Sequence, residues 1–130
     1  DSDGFDRVPP QAPEAEASVL GSMLLSKDVI GDVAEILKGT DFYKPANEII
    51  FDTILGLYSR GEPADAVTLA GELSREGQLQ RVGGADHLHK LIVAVPTAAS
   101  ATYYAKIVRE KSLLRGLVSA GTRVVQLGYA

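Results

Sequence analysis

Between Ala101 and Tyr129 the chain contains no proline, and apolar residues recur throughout at helical spacing. A single helix over that span, at 1.5 Å per residue, would be a rod of roughly 44 Å. A compact body of about 100 residues has a radius of gyration near 13 Å and a diameter of some 33 Å, so part of such a helix has to project. Its second half is apolar on two adjacent stripes, Leu113/Leu117/Val124/Leu127 and Leu114/Val118/Val125. A surface helix packed on one side does not need that width, and the surplus predicts a cover from outside the chain. The competing outcome is that Gly116, Gly121 and Gly128, each costing about 1 kcal/mol in a helix interior, bend the rod back onto its own body. The length argument favours projection.

The rest of the chain reads as shorter helices. No stretch sustains period-two alternation, and apolar residues fall in blocks punctuated by Gly and Pro, which predicts an all-α fold. Residues 1–13, with three Asp and three Pro, read as a flexible tail, residues 14–100 as a helical head, and residues 101–130 as the projecting helix. Pro13 opens the first helix, with Glu14 and Glu16 complementing the positive end of its dipole and Val19, Leu20, Met23 and Leu24 facing inward. After Ser26 to Asp28 a second helix carries Val29, Ile30, Val33, Ile36 and Leu37 and is closed by Gly39 as a C-terminal cap. Pro45 starts a third helix, with Ile49, Ile50, Phe51, Ile54, Leu55 and Tyr58 inward, ended by Gly61 and Pro63. A fourth lies around Leu69 to Arg75 and stops at Gly77. Gly83-Gly84 precedes a fifth, in which Leu88, Leu91, Ile92 and Val95 share a face up to Pro96. Thr97 or Ser100 caps the long helix. Phe42, Phe51 and Leu91 are the expected core anchors.

Charge divides along the same line. The 130 residues carry 13 Lys and Arg against 17 Asp and Glu, a net −4 that disfavours nucleic acid as sole partner. Residues 101–130 hold five bases and one acid, so the arm is basic and the body acidic. Cations spread along a long helix read first as a solvated face. The absence of cysteine removes disulfides, thiolate zinc sites and thiol nucleophiles, and fits a reducing cytoplasm. No apolar run is long enough to cross a bilayer. There is no Gly-Lys pair, hence no phosphate loop of the G-x-x-x-x-G-K-[ST] type, and no G-x-S-x-G elbow. His87 and His89 are two apart on a helix and face different ways, which argues against a metal site. No catalytic, metal-binding or cofactor-binding residue is predicted.

Several strings in register carry a resemblance: Glu14-Ala-Glu16 with Ser18-Val-Leu-Gly21, Asp41-Phe-Tyr43 with Pro45-Ala46, Ile50-Phe51, and Gly61-Glu-Pro63. They continue through Asp65-x-Val-Thr-Leu69, Val82-Gly-Gly84, Val95-Pro-Thr-Ala-Ala99, Tyr103-Tyr-Ala105, Ile107-Val108 and Glu110-Lys111. Over about residues 9–130 the chain resembles the N-terminal domain of the bacterial replicative DNA helicase, the hexameric DnaB type. Ala17, Asn47 and Ser100 depart from the usual Gln, His and Asn of that family. The resemblance implies a helical globule followed by a helical hairpin, ahead of a linker and an ATPase domain that this chain lacks. The chain starts at Asp1 and stops after the first hairpin helix, which reads as a piece of a longer protein.

By the same resemblance, the N-terminal domains pair through their hairpins into a collar of three dimers and receive the C-terminal domain of primase. ATP and Mg belong to the missing domain, no cofactor is implied for this fragment, DNA is met only through the full hexamer, and no membrane is involved. Tyr104, Ile107, Lys111, Leu114, Val118 and Val125, with Gly121, lie at spacings of three and four and trace a seam of coiled-coil type, the candidate protein interface. The alternative reading is a stand-alone helical interaction or ligand-binding domain unrelated to replication.

Overall fold

The structure, a computed structural model, describes residues 7–130, all of whose regular elements are helical. Six α-helices follow in order: α1 Pro13–Leu25, α2 Lys27–Ala34, α3 Pro45–Ser59, α4 Ala66–Arg75, α5 Gly84–Val93 and α6 Ala101–Tyr129. Short 3-10 turns at Gly39–Asp41 and Ala98–Ser100 precede α3 and α6. Pro13 and Pro45 occupy the first turns of α1 and α3, where a missing N–H costs nothing. Asp65 and Thr68 cap α4 reciprocally, each side chain accepting the other's amide at 2.9 Å. Gly61 and Gly77, both at φ +72°, turn the chain out of α3 and α4 in a left-handed conformation that side chains disfavour.

α1 is the central element, with α2, α3, α5 and the root of α6 around it. Val19, Leu20 and Met23 on α1, Ile50, Phe51 and Ile54 on α3, Leu69 and Leu73 on α4, and Leu88 and Leu91 on α5 form one buried core. Phe42 is buried in it against Phe51, ring centroids 4.9 Å apart and planes tilted by 42°. Fully burying a side chain of this size contributes about 1.5–3 kcal/mol, with a further 0.5–1.5 kcal/mol or so from an aromatic pair.

Four local expectations change. Gly39 does not cap α2, which ends at Ala34 and gives way to turns whose Ile36 and Leu37 amides both bond to the Val33 carbonyl. Gly39 instead begins the next turn, where the Asp52 carboxylate fills the space a Cβ would need. Tyr58 is partly exposed rather than inward, its hydroxyl reaching across to Gly31. Val95 lies outside α5, since the extended preference imposed by Pro96 stops the helix at Val93. Thr97 accepts from the Ala99 amide at 3.2 Å and so caps the 3-10 turn, while Ser100 stands at the start of α6 with no side-chain cap.

Candidate protein-interaction surface

The long helix is continuous from Ala101 to Tyr129, and only Ala101, Ala105 and Val108 are buried. Tyr104 and Ile107 are half-buried against the head core. Of the candidate interface residues, these two are therefore engaged by the head itself, Lys111 is half-buried, and Leu114, Val118 and Val125 are exposed. From Gly116 onward every residue is exposed. The glycines do not fold the arm back: no neighbour lies within 4 Å of a Cβ built at Gly116, Gly121 or Gly128. Both apolar stripes stand in solvent, with Leu117 at 68%, Val125 at 58% and Leu127 at 71% exposure. Isolated exposed hydrophobics are ordinary, but a contiguous set on one projecting helix makes this face the candidate interaction surface.

The base of this arm is held by polar contacts that periodicity does not reveal. Asp41 is 2% exposed. One carboxylate oxygen accepts the Lys38 amide at 2.8 Å, and the other accepts Arg109 Nη1 at 2.8 Å and the Ser112 hydroxyl at 2.7 Å. Burial opposes ionisation of Asp41, but the Lys38 amide, the Ser112 hydroxyl and the Arg109 charge outweigh it and hold the carboxyl below its ordinary 3.8. Arg115 donates to the backbone carbonyl of Asp41 at 2.6 Å and of Pro10 at 2.8 Å, and lies 5.4 Å over the Tyr43 ring. Arg109 and Arg115 are thus internal ties and not part of a solvated face. Pro10 lies within the stretch read as a flexible tail; residues 1–6 of that stretch fall outside the described residues.

A second buried acid secures the other side of the same turn. Glu16, 1% exposed, accepts the Tyr43 amide at 2.7 Å and the Asn47 side-chain amide at 2.9 Å. Glu16 stands in the first turn of α1 as expected, and it is also a buried acceptor. The sequence signal shared by Glu16 and Asp41 is that each sits inside a string shared with the family; Glu16 also has no oppositely charged residue nearby in sequence, whereas Asp41 lies three residues from both Lys38 and Lys44. Val118 and Arg115, together with Val8, Pro10 and Tyr43, line an open groove of about 770 Å³ beside the arm. Among the described residues, no three His, Asp or Glu side chains are placed to hold a metal ion, and no single helix is long and apolar enough to cross a membrane.

Residues 8–110 match the model of the DnaB-like helicase N terminal domain family. The chain is 65% identical over 99% of its length to the replicative DNA helicase DnaB of Mycobacterium leprae, and 58% identical over 95% to that of Leifsonia xyli subsp. xyli. It spans 21% and 27% of those two proteins, so it corresponds to about a quarter of them or less. The crystal structure of the N-terminal domain of DnaB helicase from Mycobacterium tuberculosis superposes with a TM-score of 0.93 at 66% identity, covering 95% of this chain and 89% of that one. The chain belongs to the DnaB-like helicase N-terminal domain family.

Proposed function

We propose that this chain is the non-catalytic N-terminal domain of a replicative DNA helicase, that α6 pairs it with a neighbouring protomer during ring assembly, and that the paired domains recruit primase. The observation that carries this reading is the exposed double stripe on α6, apolar on a wider face than its own head covers. Covering the stripe with a second helix removes Leu114, Val118 and Val125 from water, each contributing about 1.5–3 kcal/mol when fully buried. Part of that gain is spent on the entropy of association, so a modest, concentration-dependent dimer is the expected behaviour. ATP hydrolysis and unwinding are assigned to the remainder of a longer cytoplasmic protein, because no Gly-Lys pair exists here to grip phosphates.

Sedimentation velocity over a concentration series, alone and with the C-terminal domain of primase, tests the reading. Self-association at tens of micromolar and a heavier species on adding primase support it. A strict monomer that ignores primase overturns it. Nucleotide turnover by this chain above a mock purification overturns the non-catalytic assignment.

A further inference from the structure

Apolar packing of α6 on the head ends at Val108. Continuing the same face by steps of three and four leads from Ala101, Ala105 and Val108 to residues 112 and 115, where the sequence changes to Ser and Arg. Both reach the turn at 39–43: the Ser112 hydroxyl meets the Asp41 carboxylate, and Arg115 meets the Asp41 carbonyl. That turn is itself pinned on two sides, by the Lys38 amide on Asp41 and by Glu16 on the Tyr43 amide. The last contacts before the helix enters solvent are therefore directional hydrogen bonds to a fixed point, whereas an apolar contact at the same place would let the helix slide and tilt.

We propose that Arg115, with Ser112 and Arg109, is a clamp that sets the direction in which α6 leaves the head. The lever it controls is long. Residues 116–129 extend about 21 Å past Arg115 at 1.5 Å per residue, so a tilt of about 15° at the clamp carries the tip roughly 5 Å, one helical turn. Arg115 is the central member because its guanidinium ties three places at once: the Asp41 carbonyl, the Pro10 carbonyl and the face of Tyr43. A lysine has no planar fork and cannot make both carbonyl bonds in the same geometry. The clamp acts within one chain, so it holds or fails independently of whether α6 serves assembly.

The chain has no native cysteine, so spin labels can be placed at will. Ser74→Cys on the head and Gln126→Cys near the tip of α6 are both exposed. With doubly labelled chain diluted in unlabelled chain, pulsed dipolar spectroscopy reads the intramolecular distance alone. The parent should give one narrow distribution. Arg115→Ala should at least double its width while helix content by circular dichroism stays within a tenth of the parent, and Arg115→Lys should fall between. Lys106→Ala, exposed on the same helix and outside both the clamp and the candidate interface, should leave the width unchanged. Ser112→Ala is a second, milder probe that keeps the Asp41–Arg109 pair and should broaden the distribution by a smaller factor. Parental width in both Arg115→Ala and Ser112→Ala overturns the proposal, as does equal broadening by Lys106→Ala.

Discussion

Glu16 and Tyr43 are joined across 27 residues by a 2.7 Å hydrogen bond from the Tyr43 amide to the Glu16 carboxylate, in a part-buried site beside the first turn of α1. The same carboxylate accepts the Asn47 side chain at 2.9 Å, so α1, the 39–43 turn and the start of α3 share one acceptor. Glu16→Ala strands a backbone donor and an amide with little room for water. A loss of about 2–4 kcal/mol is expected from urea denaturation, since each buried donor left unpaired costs about 1–3 kcal/mol. Glu16→Ala combined with Asn47→Ala should cost less than the sum of the single changes, because one of the two orphaned groups is then gone.

At Gly21 the backbone of α1 comes close to that of α5. A Cβ there would fall on the Leu91 carbonyl oxygen and come within 2.9 Å of the Leu91 carbonyl carbon, neither of which can move without shifting α5. Gly21→Ala should therefore destabilise by about 1–3 kcal/mol despite alanine's better helix propensity. Gly116, with nothing within 4 Å and its residue in solvent, supplies the contrast. Gly116→Ala should stiffen the arm and gain up to about 1 kcal/mol of local helix stability, read as slower amide exchange around residue 116.

Two aspartates titrate in opposite senses. Asp41 is held below 3.8 in the folded chain, so its contribution is fully present above pH 3.8 and is lost as the pH falls through its lower folded value. Burial raises Asp52 above 3.8, so its ionised form carries a cost that is complete above its folded pKa and disappears below 3.8. Asp41→Asn should lower stability at pH 7 by about 1.5–3 kcal/mol, the range for hydrogen bonds to a charged group, with the gap to the parent closing below pH 3.8. Asp52→Asn should raise stability at pH 7 and not at pH 3. Asp52 is more than a third exposed, so solvent screening limits that gain to a few tenths of a kcal/mol. Denaturant midpoints of both variants between pH 3 and 7 check the crossing trends.

The elements were legible where one residue's local chemistry decides the backbone. Pro13, Pro45, Gly61 and Gly77 punctuate helices as their φ preferences dictate, and the proline-free stretch is one helix from Ala101 to Tyr129. Gly39 misled because the space a side chain would need there is taken by Asp52, which no local pattern shows. Glu16 and Asp41 were hidden for the same reason. Periodicity scores an acid as a solvated residue, and apart from the Lys38 amide their partners named above lie 27 to 71 residues away. Arg109 and Arg115 looked like members of a solvated basic face because the carboxylate and carbonyls that bind them become visible only once α6 is laid on the head.

On the arm, Leu114 and Val118 stand 38% and 56% exposed, one helical turn apart, on either side of Arg115 in the sequence. Charge at both positions puts two carboxylates into any helix–helix seam formed there, where desolvating them opposes association. The head core ends at Val108, so the same changes leave its packing untouched. We expect Leu114→Glu with Val118→Glu to raise the self-dissociation constant more than tenfold, since tenfold corresponds to 1.4 kcal/mol and burial of a single Leu or Val contributes about 1.5–3 kcal/mol. The thermal unfolding midpoint of the head should stay within a few degrees of the parent. Sedimentation velocity and a calorimetric melt on the same samples read both quantities. Parental association in the double variant would remove α6 as the assembly surface, and collapse of the melt would mean that the arm packs on its own head in solution.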